Sequence, residues 1–166
     1  MKGLIISADE FEDLELFYPY HRLLEEGIEV HIASIAKGKI KGKHDYSTKV
    51  HLKAEEVNPS EYDFLIIPGG KAPAKLRKNE KILDIARDFS NENKLIAAIC
   101  HGPQILISAD LMEGRKATSY ESVKSELVEA GANYVDQEVV IDKNLITSRK
   151  PSDLPAFMRE VLKNIK

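Results

Sequence analysis

The sequence of 166 residues contains no tryptophan, a single cysteine and only 7% aromatic residues. One cysteine forms no internal disulfide and leaves no zinc site that depends on two or four thiolates. That usage points to a reducing interior, with the cytoplasm as the expected compartment. Long apolar runs are missing too. The longest, Leu95 to Cys100, falls far short of the roughly 20 residues of a membrane span. Met1-Lys2-Gly3 passes directly into Leu4-Ile5-Ile6, too little apolar length for a signal-peptide core. Neither secretion nor membrane insertion is expected. An excess of positive charge is also lacking: the formal net charge is -3 and the pI about 6.0, which argues against a general nucleic-acid binder.

One local exception carries Lys37, Lys39, Lys41, Lys43, Lys49 and Lys53 against Asp45 alone. Lysines on alternate positions of a strand-like stretch read as a solvated edge that discourages strand pairing, not as a nucleic-acid patch. There is no internal repeat, low-complexity tract or Pro/Gly/Ser linker, so a single domain over residues 1–166 is expected.

Short apolar runs alternate with amphipathic ones. Gly3 to Ala8 reads as a buried strand, and Glu12 to Glu26 as a helix with Leu14, Phe17, His21 and Leu24 on its apolar stripe. Pro19 removes a backbone donor inside that helix, and Gly27 ends it. Strands are expected at Ile28–Ser34, Tyr62–Ile67 and Leu95–Ile99, with a hairpin or loose excursion around Gly42. Helices follow at Asn79–Asn93 and Gly102–Ala109, then a brief strand at Lys116–Thr118 and a helix at Ser122–Ala130. Val139–Asp142 and Leu145–Ser148 read as an antiparallel pair, and Ser152 as the N-cap of the last helix. Alternation of this kind predicts an α/β fold: a flavodoxin-like, doubly wound, mostly parallel sheet with helices on both faces, of the class I glutamine amidotransferase-like kind.

In such sheets ligands bind beyond the carboxyl ends of the strands. That rule selects Asp9–Glu12, Gly69-Gly70, Cys100-His101-Gly102 and Ser119-Tyr120. Ala98-Ile99-Cys100-His101-Gly102 has the small–x–nucleophile–x–Gly layout of a nucleophile elbow, in which small residues permit a sharp turn from strand to helix. A lone cysteine is often merely buried, but this placement marks Cys100 as a reactive thiol. The following helix N-terminus is expected to lower its pKa. Glu12, if buried and protonated, is placed to donate a hydrogen bond to the thiolate; otherwise it is an acid favoured at a helix start. Gly69-Gly70 can turn backbone N–H groups toward an oxyanion, or be a plain tight turn.

The other histidines, His21, His31, His44 and His51, all precede Cys100. A class I glutamine amidotransferase needs a His–x–Glu near its carboxyl end, and an α/β-hydrolase triad a histidine last in chain order, so neither activity fits. With no C-x-x-C a thioredoxin-like site is excluded. Glu12, Cys100 and His101 lack convincing ligand spacing, and no metal site is expected.

The run Ala8-Asp9-Glu10-Phe11-Glu12-Asp13-Leu14-Glu15, the turn Ile67-Pro68-Gly69-Gly70 and the segment Ala97-Ala98-Ile99-Cys100-His101-Gly102-Pro103 closely resemble the ThiJ/PfpI superfamily. So do Gly114–Tyr120 and Thr147–Leu154, and the likeness runs the whole chain, closest to the compact PfpI branch. The resemblance implies Cys100 as nucleophile with Glu12 as its hydrogen-bonded partner, an oxyanion hole from the Gly70 and His101 N–H groups, and a pocket lined by Tyr120, His101 and Gly69. It implies a dimer or hexamer, a small carbonyl or a peptide as substrate, and no cofactor. Two activities are implied: glyoxalase III or deglycase-like action on reactive carbonyls and early glycation adducts, and proteolysis by a Cys–His–acid triad. In the peptidases the acid follows the double glycine and reaches a neighbour's histidine; here Ala74 stands where that Glu would fall. Carbonyl chemistry is therefore the leading expectation, the peptidase the alternative, and a redox sensor oxidised at Cys100 a third reading.

Overall fold

The runs Phe64–Ile67 and Leu95–Ile99 are buried at every position, as strands covered on both faces by helices must be. The computed structural model describes residues 1–166. In chain order the elements are β1 (Lys2–Ile6), α1 (Asp13–Glu25), β2 (Glu29–Ser34), β3 (Gly38–Lys41), β4 (Ser47–Val50), β5 (Leu52–Lys53), β6 (Phe64–Ile67), α2 (Ala72–Leu76), α3 (Glu80–Asn91), β7 (Leu95–Ile99), α4 (Pro103–Ser108), β8 (Lys116–Ala117), α5 (Lys124–Glu129), β9 (Asn133–Tyr134), β10 (Val140–Asp142), β11 (Leu145–Ser148) and α6 (Leu154–Asn164). The main sheet has the order β10-β11-β7-β6-β1-β2-β5, parallel throughout except for β10. Helices α1 and α6 pack together on one face, and α3 with α4 on the other. This is the flavodoxin-like α/β architecture. No helix is long and apolar enough to cross a membrane.

The winding reverses between β1 and β6. From β1 the chain builds outward through β2 and β5, then returns to add β6, β7 and β11 on the other side. A crevice opens at such a reversal because the loops leaving neighbouring strands diverge to opposite faces. The loops after β1, β6 and β7 all meet there.

Four local expectations are corrected. The stripe assigned to α1 is its outward face: Leu14 is 59% exposed and Leu24 43% exposed, whereas Asp13, Glu15, Leu16, Pro19 and Leu23 are buried. The Lys-rich stretch does form an antiparallel hairpin, β3–β4, but its tip is no free edge. Glu10 N–H donates to the Lys41 carbonyl at 2.7 Å and Lys43 N–H to the Phe11 carbonyl at 2.9 Å, so the hairpin lies across the loop after β1. The short strand β8 pairs with β9 in a separate two-stranded sheet. Ser152 sits inside a 3-10 turn, Pro151–Asp153, and Asp153 directly precedes α6 with its carboxylate engaged by Arg149.

Candidate active site

Cys100 adopts φ 63°, a left-handed backbone that a side-chain-bearing residue takes only when its surroundings enforce it. Here they do. Its N–H donates to the Ser148 carbonyl at 3.0 Å, its carbonyl accepts from Tyr120 N–H at 3.0 Å, and Gly102 N–H closes onto the Ile99 carbonyl at 2.8 Å. A side chain at Gly102 would strike the Ile67 carbonyl, so the glycine two residues on is what lets the elbow press against β6. The expected elbow is thus formed, and Tyr120 is tied to its backbone although β8 lies outside the main sheet.

The double glycine packs against this turn. Gly70 has φ +83°, and a Cβ there would overlap the backbone of Glu10, Phe11 and Glu12. A Cβ on Gly69 would collide with the Glu15 carboxyl, Cys100 Cβ and His101 N. Both positions therefore require glycine. Freed of side chains, the turn brings Gly70 N–H to the Cys100 sulfur, where His101 N–H also arrives. The two donors expected for an oxyanion lie on the sulfur's side of the turn.

The carboxyl that meets the thiol is Glu15, not Glu12. Glu15 is fully buried on the inner face of α1, one turn from its start, and its Oε2 accepts from Gly69 N–H at 2.7 Å. Its other oxygen, Oε1, is buried without a hydrogen-bond partner. Burial pushes the Glu15 carboxyl up from the ordinary range to about 8, opposed chiefly by the Gly69 N–H. At neutral pH it keeps its proton. Glu12 lines the same cavity, but its Oε2 receives Lys43 Nζ at 2.9 Å and its Oε1 lies 3.6 Å from His44 Nε2. The physical reason is the hairpin, whose tip delivers a cation to Glu12 and leaves the thiol to the next glutamate along the helix.

Burial also works on Cys100. Desolvation pushes its thiol up, against the expectation from the helix N-terminus, and an ionised Glu15 would add repulsion. Helix α4 spans only six residues, so its dipole is short. The Gly70 and His101 N–H groups pull the other way, favouring thiolate. When Glu15 is protonated that repulsion vanishes and its O–H becomes available as a donor beside the sulfur.

His101 places Nδ1 3.3 Å from Cys100 Sγ and Nε2 3.2 Å from Ser122 Oγ. Its ring stacks on Tyr120 with centroids 5.1 Å apart. Burial, then the Lys43 charge, hold the imidazole below its usual pKa, and it is neutral at pH 7. A cavity of about 690 Å³ opens over these groups, lined by Glu12, Glu15, Gly70, Cys100, His101 and Tyr120 among others. Gly69 lies beneath the turn rather than among the lining residues. Glu12, Asp13 and His44 come within reach of a common point, yet Asp13 is already bound to the hairpin through His44 N–H at 2.9 Å and Tyr46 N–H at 3.2 Å.

Sequence reasoning missed Glu15, Lys43 and Ser122. Glu15 left one signal: taken with Leu16, Pro19 and Leu23, it falls on a continuous helical face, and an acid on a buried face is unusual. Lys43 and Ser122 left none, since only tertiary folding brings them in.

The model of the DJ-1/PfpI family matches residues 1–164. The chain belongs to the DJ-1/PfpI family. A relative from Pyrococcus furiosus named Deglycase PfpI is 57% identical over 166 residues, the whole of both chains. The Escherichia coli protein named Protein/nucleic acid deglycase 2 is 44% identical over 165 residues, covering 98% of this chain and 96% of the relative. Among solved structures, a two-domain Anabaena variabilis protein with DJ-1/ThiJ/PfpI-like and ferritin-like domains superposes with a TM-score of 0.97 at 38% identity. The match covers 99% of this chain and 48% of that one, so the chain spans about half its length. Relatives named as deglycases make this chain an enzyme of the same general kind as its DJ-1/PfpI kin.

Proposed function

We propose that this DJ-1/PfpI protein is a cysteine-dependent enzyme acting, as one domain, on reactive carbonyls or early glycation adducts, with Cys100 as nucleophile. The observation that carries the reading is the placement around Cys100 of the buried Glu15 carboxyl, whose pKa burial pushes up to about 8, and of the Gly70 and His101 backbone N–H groups. Those groups suit addition to an aldehyde. The Cys100 sulfur bonds to the aldehyde carbon, the carbonyl π pair moves to oxygen between the two N–H donors, and that oxygen takes a proton from Glu15, which regains one from the Cys100 thiol. The product is a hemithioacetal. With a 2-oxoaldehyde, Glu15 or neutral His101 moves the C1 proton to C2 while the C1 hydroxyl proton passes to the C2 oxygen, leaving a thioester of a 2-hydroxy acid. Water then hydrolyses the thioester and restores the thiol, so the net change is addition of one water.

This route needs no carboxylate behind His101. The imidazole is steadied by Ser122 and Tyr120 instead, which suits neutral proton transfer better than a triad that must stabilise imidazolium. Ala74, on the cavity wall, offers no acid. The peptidase reading is weaker for that reason.

The acting unit is a homo-oligomer. Leu14, Tyr18 and Tyr46 leave 59%, 40% and 70% of their surface exposed on one side of α1 and the adjoining hairpin, and Phe17 stacks on His21 and meets Tyr46 edge-on. A second copy burying that face would also fix the hairpin that carries Lys43. The deciding experiment is lactate release from methylglyoxal by wild type and Cys100→Ser, with a fluorogenic peptide in parallel. Turnover confined to methylglyoxal and abolished in Cys100→Ser is the expected result; equal turnover by both proteins would remove the nucleophile.

A further inference from the structure

The wall of the Cys100 cavity formed by α2 and its flanking residues is lined with lysine. Lys71 precedes α2, Lys75 lies one turn later and Lys78 follows the helix, and all three line the cavity together with Lys43. Spacings of four and three residues put them on one helical face, with Ala74 between them. Lysines on a surface are ordinary, and so are lysines paired with acids. These are under-neutralised: Glu10 is shared by Lys75 at 3.1 Å and Lys71 at 3.9 Å, Lys43 has Glu12, and Lys78 pairs with no carboxylate. The remaining acid of the lining, Glu15, is the buried one that faces sulfur. The chain as a whole carries -3, so this concentration of positive charge is local to the cavity and runs against the overall sign. A cleft lined by one sign of charge focuses its field and raises the local concentration of the opposite ion.

We propose that the cavity takes carbonyl compounds bearing an anionic group, a carboxylate or a phosphate, held by Lys71, Lys75 and Lys78 while Cys100 meets the aldehyde carbon. The reaction rests on the carbonyl reading above; the charge selection rests on the cavity wall alone. For a 2-oxoaldehyde phosphorylated on C3, the sulfur adds to C1, the C1 proton passes to C2, and water releases a phosphorylated 2-hydroxy acid. The phosphate stays in place throughout, and no oxidant or reductant is consumed.

Two measurements separate the two claims. Alkylation of Cys100 by iodoacetate and by iodoacetamide compares an anionic with a neutral reagent of similar size and needs no turnover. The iodoacetate-to-iodoacetamide rate ratio at Cys100 should exceed that of 2-mercaptoethanol about tenfold, as focused fields of this kind allow. It should fall toward the small-thiol ratio in Lys75→Gln/Lys78→Gln and in high salt. Both lysines are exposed, so the double variant should fold. The second measurement is kcat/KM for 2-oxo-3-phosphooxypropanal against 2-oxo-3-hydroxypropanal, where the phosphorylated compound should be favoured by a similar factor and lose that advantage in the same variant. An arm with 2-oxo-aldehydes carrying a carboxylate tells whether phosphate or carboxylate is preferred. An alkylation ratio equal to that of 2-mercaptoethanol, unmoved by the lysine changes, overturns the proposal. Retained alkylation preference with no turnover of any aldehyde overturns the carbonyl reading and leaves the anion selection standing.

Discussion

Lys43 Nζ lies 2.9 Å from Glu12 Oε2, and this contact divides the two glutamates of the α1 start between different tasks. Glu12 holds the hairpin over the cavity and keeps the Lys43 ammonium above its ordinary pKa. Glu15, three residues later and fully buried, is left without a cation and keeps its proton instead. One helical turn thus carries an acid paired with a lysine and a second, buried acid facing the sulfur.

Exchanging the two acids for amides tests that division. Glu15→Gln removes the proton donor at the sulfur and should lower methylglyoxal turnover on the order of 100-fold, the usual scale for a lost general acid. Glu12→Gln disturbs only the hairpin contact and should cost a few-fold. Lactate release under saturating substrate reads both. Equal losses would return Glu12 to the role that the sequence suggested.

Stability should also depend on Glu15. Its folded-state pKa of about 8 exceeds the ordinary 4.5, so the native chain retains a proton that the unfolded chain gives up. Between those values the native state binds more protons, and stability drains as pH rises through the window. Gln at this position has no proton to lose and can still accept from Gly69 N–H. The melting temperature of Glu15→Gln relative to wild type should therefore climb from pH 5 to pH 9, reaching a few kcal/mol of relative stabilisation in order of magnitude. A difference that stays flat across the range would mean Glu15 ionises normally in the folded protein.

Gly70→Ala should be harmful twice over. The left-handed backbone and the overlap with the Glu10–Glu12 backbone cost about 1–3 kcal/mol, and any relief moves an N–H donor off the sulfur. Denaturant melts and lactate release should fall together. An alanine variant of native stability and activity would show that the turn relaxes without displacing its donor.

Much of this was legible in the residues. The runs in β1, β6 and β7 are apolar at successive positions, which few other contexts produce, and Cys100 stood at the end of the last with small residues on either side. The phase of α1 was not legible. Leu14, Phe17, His21 and Leu24 make as good a stripe as Leu16, Pro19 and Leu23, and choosing the former turned Glu15 outward and promoted Glu12. Helix α2, with five residues, and strand β5, with two, are too short to carry a period. The place of Lys43 depends on a hairpin crossing a loop 31 residues away in sequence, which no local pattern encodes.

The last prediction uses position 74. Placing an acid there by Ala74→Glu supplies the carboxylate that a Cys–His–acid peptidase requires, in an oligomer that brings it beside a histidine. If the protein were such a peptidase weakened by its alanine, fluorogenic peptide cleavage should rise at least tenfold, because a carboxylate would fix the His101 tautomer and steady its imidazolium. The carbonyl route draws on Cys100, Glu15 and a neutral imidazole already bonded to Ser122 at 3.2 Å. It gains nothing from a new charge, so peptide cleavage should stay at background and methylglyoxal turnover should change by no more than a few-fold. Light scattering on both proteins belongs in the same experiment, since the comparison holds only if the assembly is unchanged. A strong rise in peptide cleavage with methylglyoxal turnover lost would reverse the ranking of the two activities.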